Sequence, residues 1–447
     1  MIKQDKPTST YISLFFLAIF CGLFSVKGNA QAAHGDTTYL TLQQCIDYAL
    51  KNQNDIKNAK LDEKIAFQKK REIAGAALPQ INANGEVDYY FDAPKYFFDN
   101  EIIQTGLVYN TQYGASASQL LFNGTYLIGR EAAARYIDLM KKTTQNTEIQ
   151  TRANVTKAYY SVVINKERIH LVQANLDKLK DLLKETQAMN VQGFVENIDV
   201  DRISVQLGNL EVESKNVQNL VRLSYYLLKF QIGMPMDEKI KVSDSIESKE
   251  FKDEANTPTQ YGDRIEYNIM QVEKNLYGLQ IKEYKFGYLP SLNAFGSYEN
   301  QTYTTVDHYD AFDKGKVWLP TGVIGAKLSI PVFDGFVKDA QIQEAKLSYQ
   351  QTLNNEYTLK NSIDLQTNNA IVNYNNNLST LQIQKKNLDL AKEVARVTEI
   401  KYKQGVGSNL EIIDAQTSLR EAETNYYEAL YNVVVSQVDL LVARGKF

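Results

Sequence analysis

The chain has 447 residues, 44% hydrophobic and 23% charged, a composition that can bury a core and excludes an unstructured chain. A formal net charge of −4, without a basic run, excludes nucleic acid and an anionic lipid surface as evident partners. Its two cysteines are Cys21, which falls in the leader described next, and Cys45, so the mature chain has no internal disulfide.

Lys3 and Lys6 precede an apolar run over 11–26 and small residues around Ala30, which reads as a secretory signal peptide over residues 1–30. Phe20 is too bulky for the residue expected before a lipidated cysteine, so lipid processing at Cys21 is disfavoured. No later run of 18 apolar residues exists, which excludes a transmembrane helix from the mature chain and leaves strands as the means of spanning a membrane. Residues 41–77 read as helical. LPQINANG (78–85) then opens a strand near 80–90, where Ile81, Ala83, Gly85, Val87 and Tyr89 alternate with Asn82, Asn84, Glu86 and Asp88. A second strand, 111–122, ends in SQLLFNG (118–124). Residues 130–192 contain neither proline nor glycine, which permits one helix ~90 to 100 Å long. A helix over 196–232 follows, and then a charged linker over 236–260.

The same elements then recur. They are a helix near 262–287, LPSLNAFG (289–296) opening a strand near 291–299, a strand near 323–331 beside SIPVFDG (329–335), and helices over 336–404 and 408–443. Ser118 matches Ser329, Phe122 matches Phe333 and Gly124 matches Gly335, all offset by 211; Gly193 and Gly405, and Gly233 and Gly445, are offset by 212. The chain therefore reads as a tandem duplication, repeat 1 over 41–235 and repeat 2 over 261–447. Strands of about 10 residues span a bilayer when tilted ~45°. Small and apolar residues take one face, and aromatics sit at the ends: Tyr89, Tyr90 and Phe91 at one, Phe122 and Phe333 at the other. Loops 92–106 and 300–320 then face outside. Such a sheet cannot leave an edge unpaired in lipid, and four strands cannot close a barrel. Two chains would give eight strands around a filled interior, and three would give twelve around a passage.

In LPQINANG and LPSLNAFG, in FNG and FDG before helices, in GVGSNLEIIDAQTSLREAE (405–423) and in the two-fold repeat, the chain resembles the TolC-type outer-membrane efflux proteins over essentially all of its mature length. The resemblance implies an α+β membrane protein of the cell outer membrane: a homotrimer whose twelve-stranded β-barrel, four strands per chain, continues into a long periplasmic α-helical barrel. It implies a passive conduit of a tripartite efflux or type I secretion system, working with a periplasmic adaptor protein and an inner-membrane transporter that selects the cargo. It also implies a gate at the periplasmic helix tips. The matching positions are Glu411 and Asp414 for an acidic constriction and Tyr402 and Asp199 for a bridging network, while Gly407 stands where an arginine would bridge to Asp199. Independently, Glu411 and Asp414 lie at i and i+3 just after the GVG turn, on one helix face. In a trimer they would gather six carboxylates around one axis, a cation-preferring constriction.

Catalysis finds no comparable support. His34, His170 and His308 are far apart and lack metal-ligand spacing, GVG (405–407) lacks a phosphate-loop pattern, and Asp199 and Asp201 sit where acids favour a helix start. No enzyme, metal or cofactor is expected. The competing class is a periplasmic coiled-coil adaptor or structural protein, which would carry one helical hairpin rather than two copies of strand, loop, strand and two helices.

Overall fold

The computed structural model describes residues 38–92, 95–104, 109–244, 251, 260–304 and 317–447. The signal-peptide reading, Cys21, His34 and His308 lie outside them. A short strand β1 (Thr38–Leu40) leads into α1 (Leu42–Asn52) and α2 (Asn54–Gly75). Next come β2 (Gln80–Tyr89), a small hairpin of β3 (Lys95–Phe98) and β4 (Glu101–Gln104), and β5 (Tyr109–Phe122). Helices α3 (Gly124–Val191) and α4 (Asn197–Ile232) follow, then β6 (Ile240–Val242). The second half runs α5 (Ile265–Phe286), β7 (Ser291–Thr304), β8 (Leu319–Ser329), α6 (Val337–Lys403) and α7 (Asn409–Ala443).

The four longer strands form one antiparallel sheet in the order β2-β5-β7-β8. Above the middle of the molecule the helices keep that order, because α2 and α5 run into β2 and β7 while α3 and α6 leave β5 and β8, so α2 packs on α3, α3 on α5 and α5 on α6. Asn123 caps the start of α3, its side-chain oxygen accepting from the Tyr126 amide at 3.1 Å. At 68 and 67 residues, α3 and α6 are each about 100 Å long. They continue past the middle, where α4 packs on α3, α3 on α7 and α7 on α6.

The sequence predicts one helix over 41–77, and the structure divides it at Gln53, whose backbone is extended (φ −63°, ψ 133°). The cause is the end of α4. Gly233 closes that helix in the left-handed region (φ 70°), and a Cβ there would stand 2.8 Å from the Gln53 Cα and 2.9 Å from its nitrogen. The upper helix thus starts where the lower one stops, and its first amides are taken by the Gln53 side-chain oxygen, which accepts from Asp55 and Ile56. The second half repeats the joint, with a 3-10 turn (Tyr261–Asp263) and Arg264 in place of one continuous helix over 262–287. A Cβ on Gly445 (φ 67°) would stand 2.3 Å from the Asp263 carbonyl oxygen. Buried Arg264 donates to the Ala443 carbonyl at 2.8 Å, capping the last turn of α7 with positive charge. Gly445→Ala is expected to lower stability by about 2 to 5 kcal/mol, from left-handed strain plus overpacking. A denaturant midpoint unchanged from wild type would disprove this close fit.

Residues 236–260, expected only as linker, contribute β6, which pairs parallel with β1 (Thr38 opposite Ile240) because Ile240 and Val242 both turn into the core. That core packs α1 and the two small strands against the middles of α3 and α6 and the ends of α4 and α7, through side chains such as Tyr159, Val162, Tyr374 and Val433. Tyr159 donates to the Leu40 carbonyl at 3.2 Å and accepts from the Asp244 amide at 3.3 Å. Cys45 is free and fully buried here, and burial pushes its thiol up to about 12, so it is inert.

Above the core, Glu356 of α6 accepts from Lys274 at 2.7 Å and from Gln271 at 3.0 Å, both on α5, and pairs with Lys360. These donors hold its carboxyl down at about 2, against 4.5 for the free group. A folded-state value below the unfolded one contributes stability fully present above 4.5 and lost as pH falls from there toward about 2. Glu356→Gln should therefore lower the unfolding midpoint at pH 7 and flatten its acid dependence across that window. An equal loss at pH 7 and pH 2 would show that the charge is not what matters.

Candidate functional site: the strand sheet and the helix tips

The strand pairing decides which residues share a face. Ile81 stands opposite Ala117, Ala83 opposite Ala115 and Gly85 opposite Tyr113; across the next strand Ala117 meets Gly296 and Ala115 meets Tyr298, and then Gly296 meets Ile324. All of these lie on one face, the alternation expected from the sequence. Ile81 and Ile324 are 75% and 93% exposed, so that face is an uncovered apolar surface. The other face carries Asn84, Glu86, Asp88, Gln112, Glu299 and Lys327. There Asn110 donates to the Asp88 carboxylate at 3.1 Å and accepts from Gln301 at 3.0 Å.

Aromatics gather at the outer end of the apolar face. Tyr89 and Tyr109 lie 5.0 Å apart, and Tyr113 meets Trp318 edge-on at 5.0 Å. Trp318 escaped the sequence reading because it precedes β8 and falls outside the alternation. Loop 92–106, read as plain loop, holds the β3–β4 hairpin, turned at Asp99 and Asn100 with φ of 46° and 69°. Among the described residues no helix is long and apolar enough to cross a membrane.

At the opposite end, the α3–α4 and α6–α7 connections are the same turn. Gly193 and Gly405 have φ of 79° and 75°; Gly193 donates to the Asn190 carbonyl and Gly405 to that of Tyr402, each at 2.9 Å. Ser408 then caps α7 by accepting from the Glu411 amide at 3.2 Å. Ile412 and Ala415 turn inward against the neighbouring helices, which leaves Glu411 and Asp414 exposed on the helix face between them and solvent. The structure thus places both acids beside the tip, as the spacing predicts.

Each network residue takes a partner within the chain. Tyr402 is buried with Leu182, Ile203 and Ile412, and its hydroxyl meets that of Thr186 at 3.2 Å. Asp199 pairs along its own helix with Arg202 at 3.7 Å. The link between the two tips passes instead through buried Asn409, whose amide donates to the Asp199 main-chain carbonyl at 3.2 Å. Lys403 adds an exposed ion pair to Glu185 at 3.3 Å, a contact of little energetic weight. Higher on the same seam, Asn175 donates to Glu423 at 2.8 Å, and burial pushes that carboxyl above its usual range. Thr186, Asn409 and Glu423 were not found from the sequence, because their partners lie more than 200 residues away.

Among the described residues no group of histidine, cysteine, aspartate and glutamate could hold a metal. Residues 271–446 match the family described as outer membrane efflux protein. The outer membrane protein TolC of Salmonella enteritidis is 23% identical over 424 residues, covering 90% of this chain and 82% of that protein. The solved structure of CusC superposes with a TM-score of 0.73 at 15% identity, covering 92% of this chain and 95% of that one. The Campylobacter jejuni CmeC outer membrane channel gives 0.72 at 16%, covering 91% and 86%. Sheet, helix order and tips are thus those of a known outer-membrane channel fold, and the second half of the chain carries the match to the outer membrane efflux protein family.

Proposed function

We propose that three copies of this outer-membrane efflux channel protein close their sheets into one twelve-stranded barrel above a periplasmic helical tube, gated where the helix tips meet. The chain is a channel component and not an enzyme, and it resides in the outer membrane with a periplasmic extension. The observation that carries the trimer is the open sheet: β2 and β8 are both edges, and they run in opposite directions. Any ring of copies therefore joins β8 to the next β2 antiparallel, like every pairing within the chain. Three copies leave the passage that a conduit needs, whereas two would fill it.

The helices give the same reading. Val205, Val212 and Leu223 on α4, and Leu365, Val372 and Ile383 on α6, are exposed apolar side chains on the two helices that end the layer. Covering them with another copy would bury both stripes. Tandem duplication is supported by the two hairpins, which share one register after a shift of 211: Gln80 opposite Ser118, and Ser291 opposite Ser329.

Glu411 and Asp414 form the constriction, with Tyr402 and Asp199 anchoring the helices that carry them. The partners are a periplasmic adaptor and an inner-membrane transporter, a reading supported by the similarity to outer membrane proteins of efflux pumps. The adaptor alternative has no support in a sheet whose one face exposes side chains such as Ile81, Val87, Ile324 and Leu328. Native mass measurement of detergent-extracted protein should give three chains per particle, and a stable monomer or dimer would overturn the reading.

A further inference from the structure

The two hairpins coincide under a shift of 211 along their whole length, since Tyr89 opposite Tyr109 becomes Asn300 opposite Pro320. Among the described residues one strand pairing joins the two repeats, β5 against β7, with Ala115 opposite Tyr298 and Ala117 opposite Gly296. If copies are related to one another as the repeats are, that contact recurs between β8 of one copy and β2 of the next. Moving the β5 partner forward by 211 and the β7 partner back by 211 fixes every pair.

We propose that Ala326 of one copy pairs with Val87 of the next, Leu328 with Gly85, Ile324 with Tyr89 and Lys327 with Glu86. This inference rests on the trimer reading and deepens it by naming the register. The register follows from the backbone repeat alone, and the side chains agree with it. Where the two strands overlap, Ile324, Ala326 and Leu328 of the β8 apolar face meet Tyr89, Val87 and Gly85 of the β2 apolar face, whereas a slip of one would turn Lys327 toward lipid. Sizes alternate, Leu328 lying against Gly85 and Ala326 against Val87. On the water face Lys327 meets a carboxylate, and opposite charges directly across an antiparallel pair are favourable. The competing register is a slip of two, which keeps the facing and sets Lys327 against Asp88, but sets Leu328 against Val87.

The same operation reaches the tips, about 100 Å along α3 and α6. With the offset of 212 that holds there, Asn409 corresponds to Asn197 and Asp199 to Glu411. Within the chain Asn409 donates to the Asp199 carbonyl, while Asn197 is exposed. Its amide therefore donates to the Glu411 carbonyl of the adjacent copy, giving alternating ties within and between copies around the ring.

Cysteine pairs separate the registers. Directly opposed antiparallel residues have Cα atoms ~4.5 to 5.5 Å apart, within disulfide range, whereas diagonal neighbours at ~7 to 8 Å are beyond it. Full-length protein carrying Val87→Cys with Ala326→Cys, oxidised in outer membranes, should run on a denaturing non-reducing gel as covalently joined chains up to three. Val87→Cys with Leu328→Cys should cross-link at less than about a tenth of that yield. Cys45, buried and inert, stays out of the reaction. Stronger cross-linking by the second pair, or none by the first while native mass still shows three chains, overturns the register. Absence of any three-chain particle in wild type instead overturns the trimer. Charge exchange is the parallel readout: Glu86→Lys and Lys327→Glu should each lower the trimer's melting midpoint, and the two together should restore it. Failure to restore it overturns the Glu86 pairing even if a cysteine variant does not assemble.

Discussion

Replacing Glu411 by glutamine and Asp414 by asparagine together should remove most of the block that a trivalent cation exerts from the periplasmic side. In the proposed trimer these two positions would gather six carboxylates around the axis, and both lie on a helix face that is exposed beside the tip. Attraction to a ring of fixed charge grows with ion valence in a confined space, although salt screens part of it, so the loss in blocking affinity should be about 10- to 100-fold. The amides are close in size to the acids, and neither side chain packs in the tip cluster of Leu182, Ile203, Tyr402 and Ile412. Trimer assembly should therefore be retained. Planar-bilayer recording is the measurement. Block unchanged in the double variant would place these acids off the conduction path, and the constriction would then have to be sought around Asp199 and Tyr402.

Val87→Arg should impair assembly as strongly as any single change in the sheet. Val87 lies on the apolar face, opposite Thr111 and in line with Ala83 and Gly85. An arginine there would point into lipid at a cost of about 2 to 4 kcal/mol per copy at mid-depth, incurred three times in the proposed barrel. The matched control is Asn84→Arg on the water face, where Gly114 and Glu299 follow in the same row, so the new cation would have a carboxylate within reach. Asp88 is a poorer control because it accepts from Asn110. Heat-resistant trimer recovered from outer membranes should fall for Val87→Arg and stay near wild type for Asn84→Arg. Equal recovery of both variants would show that the faces have been assigned the wrong way round.

The sequence by itself determined the elements and their facing. Long stretches free of proline and glycine became α3 and α6, and alternation of period two set which strand residues share a face, because both signals arise from local backbone geometry. The matched glycines marked similar turns at Gly193 and Gly405, and the i, i+3 spacing put Glu411 and Asp414 on one helix face, since helix periodicity follows from spacing alone. Tertiary structure decided whatever depends on contacts between distant segments. Gln53 breaks a helix that its own sequence would continue, because Gly233 arrives there from the far end of α4. β6 forms within a charged linker because β1 lies alongside it. Tyr402 takes Thr186 and Asn409 takes the Asp199 carbonyl, although nothing near any of these residues in the chain marks them as partners. Such pairings depend on how two helical hairpins are set against each other, and that is settled by the packing of whole helix faces rather than by any short stretch of residues.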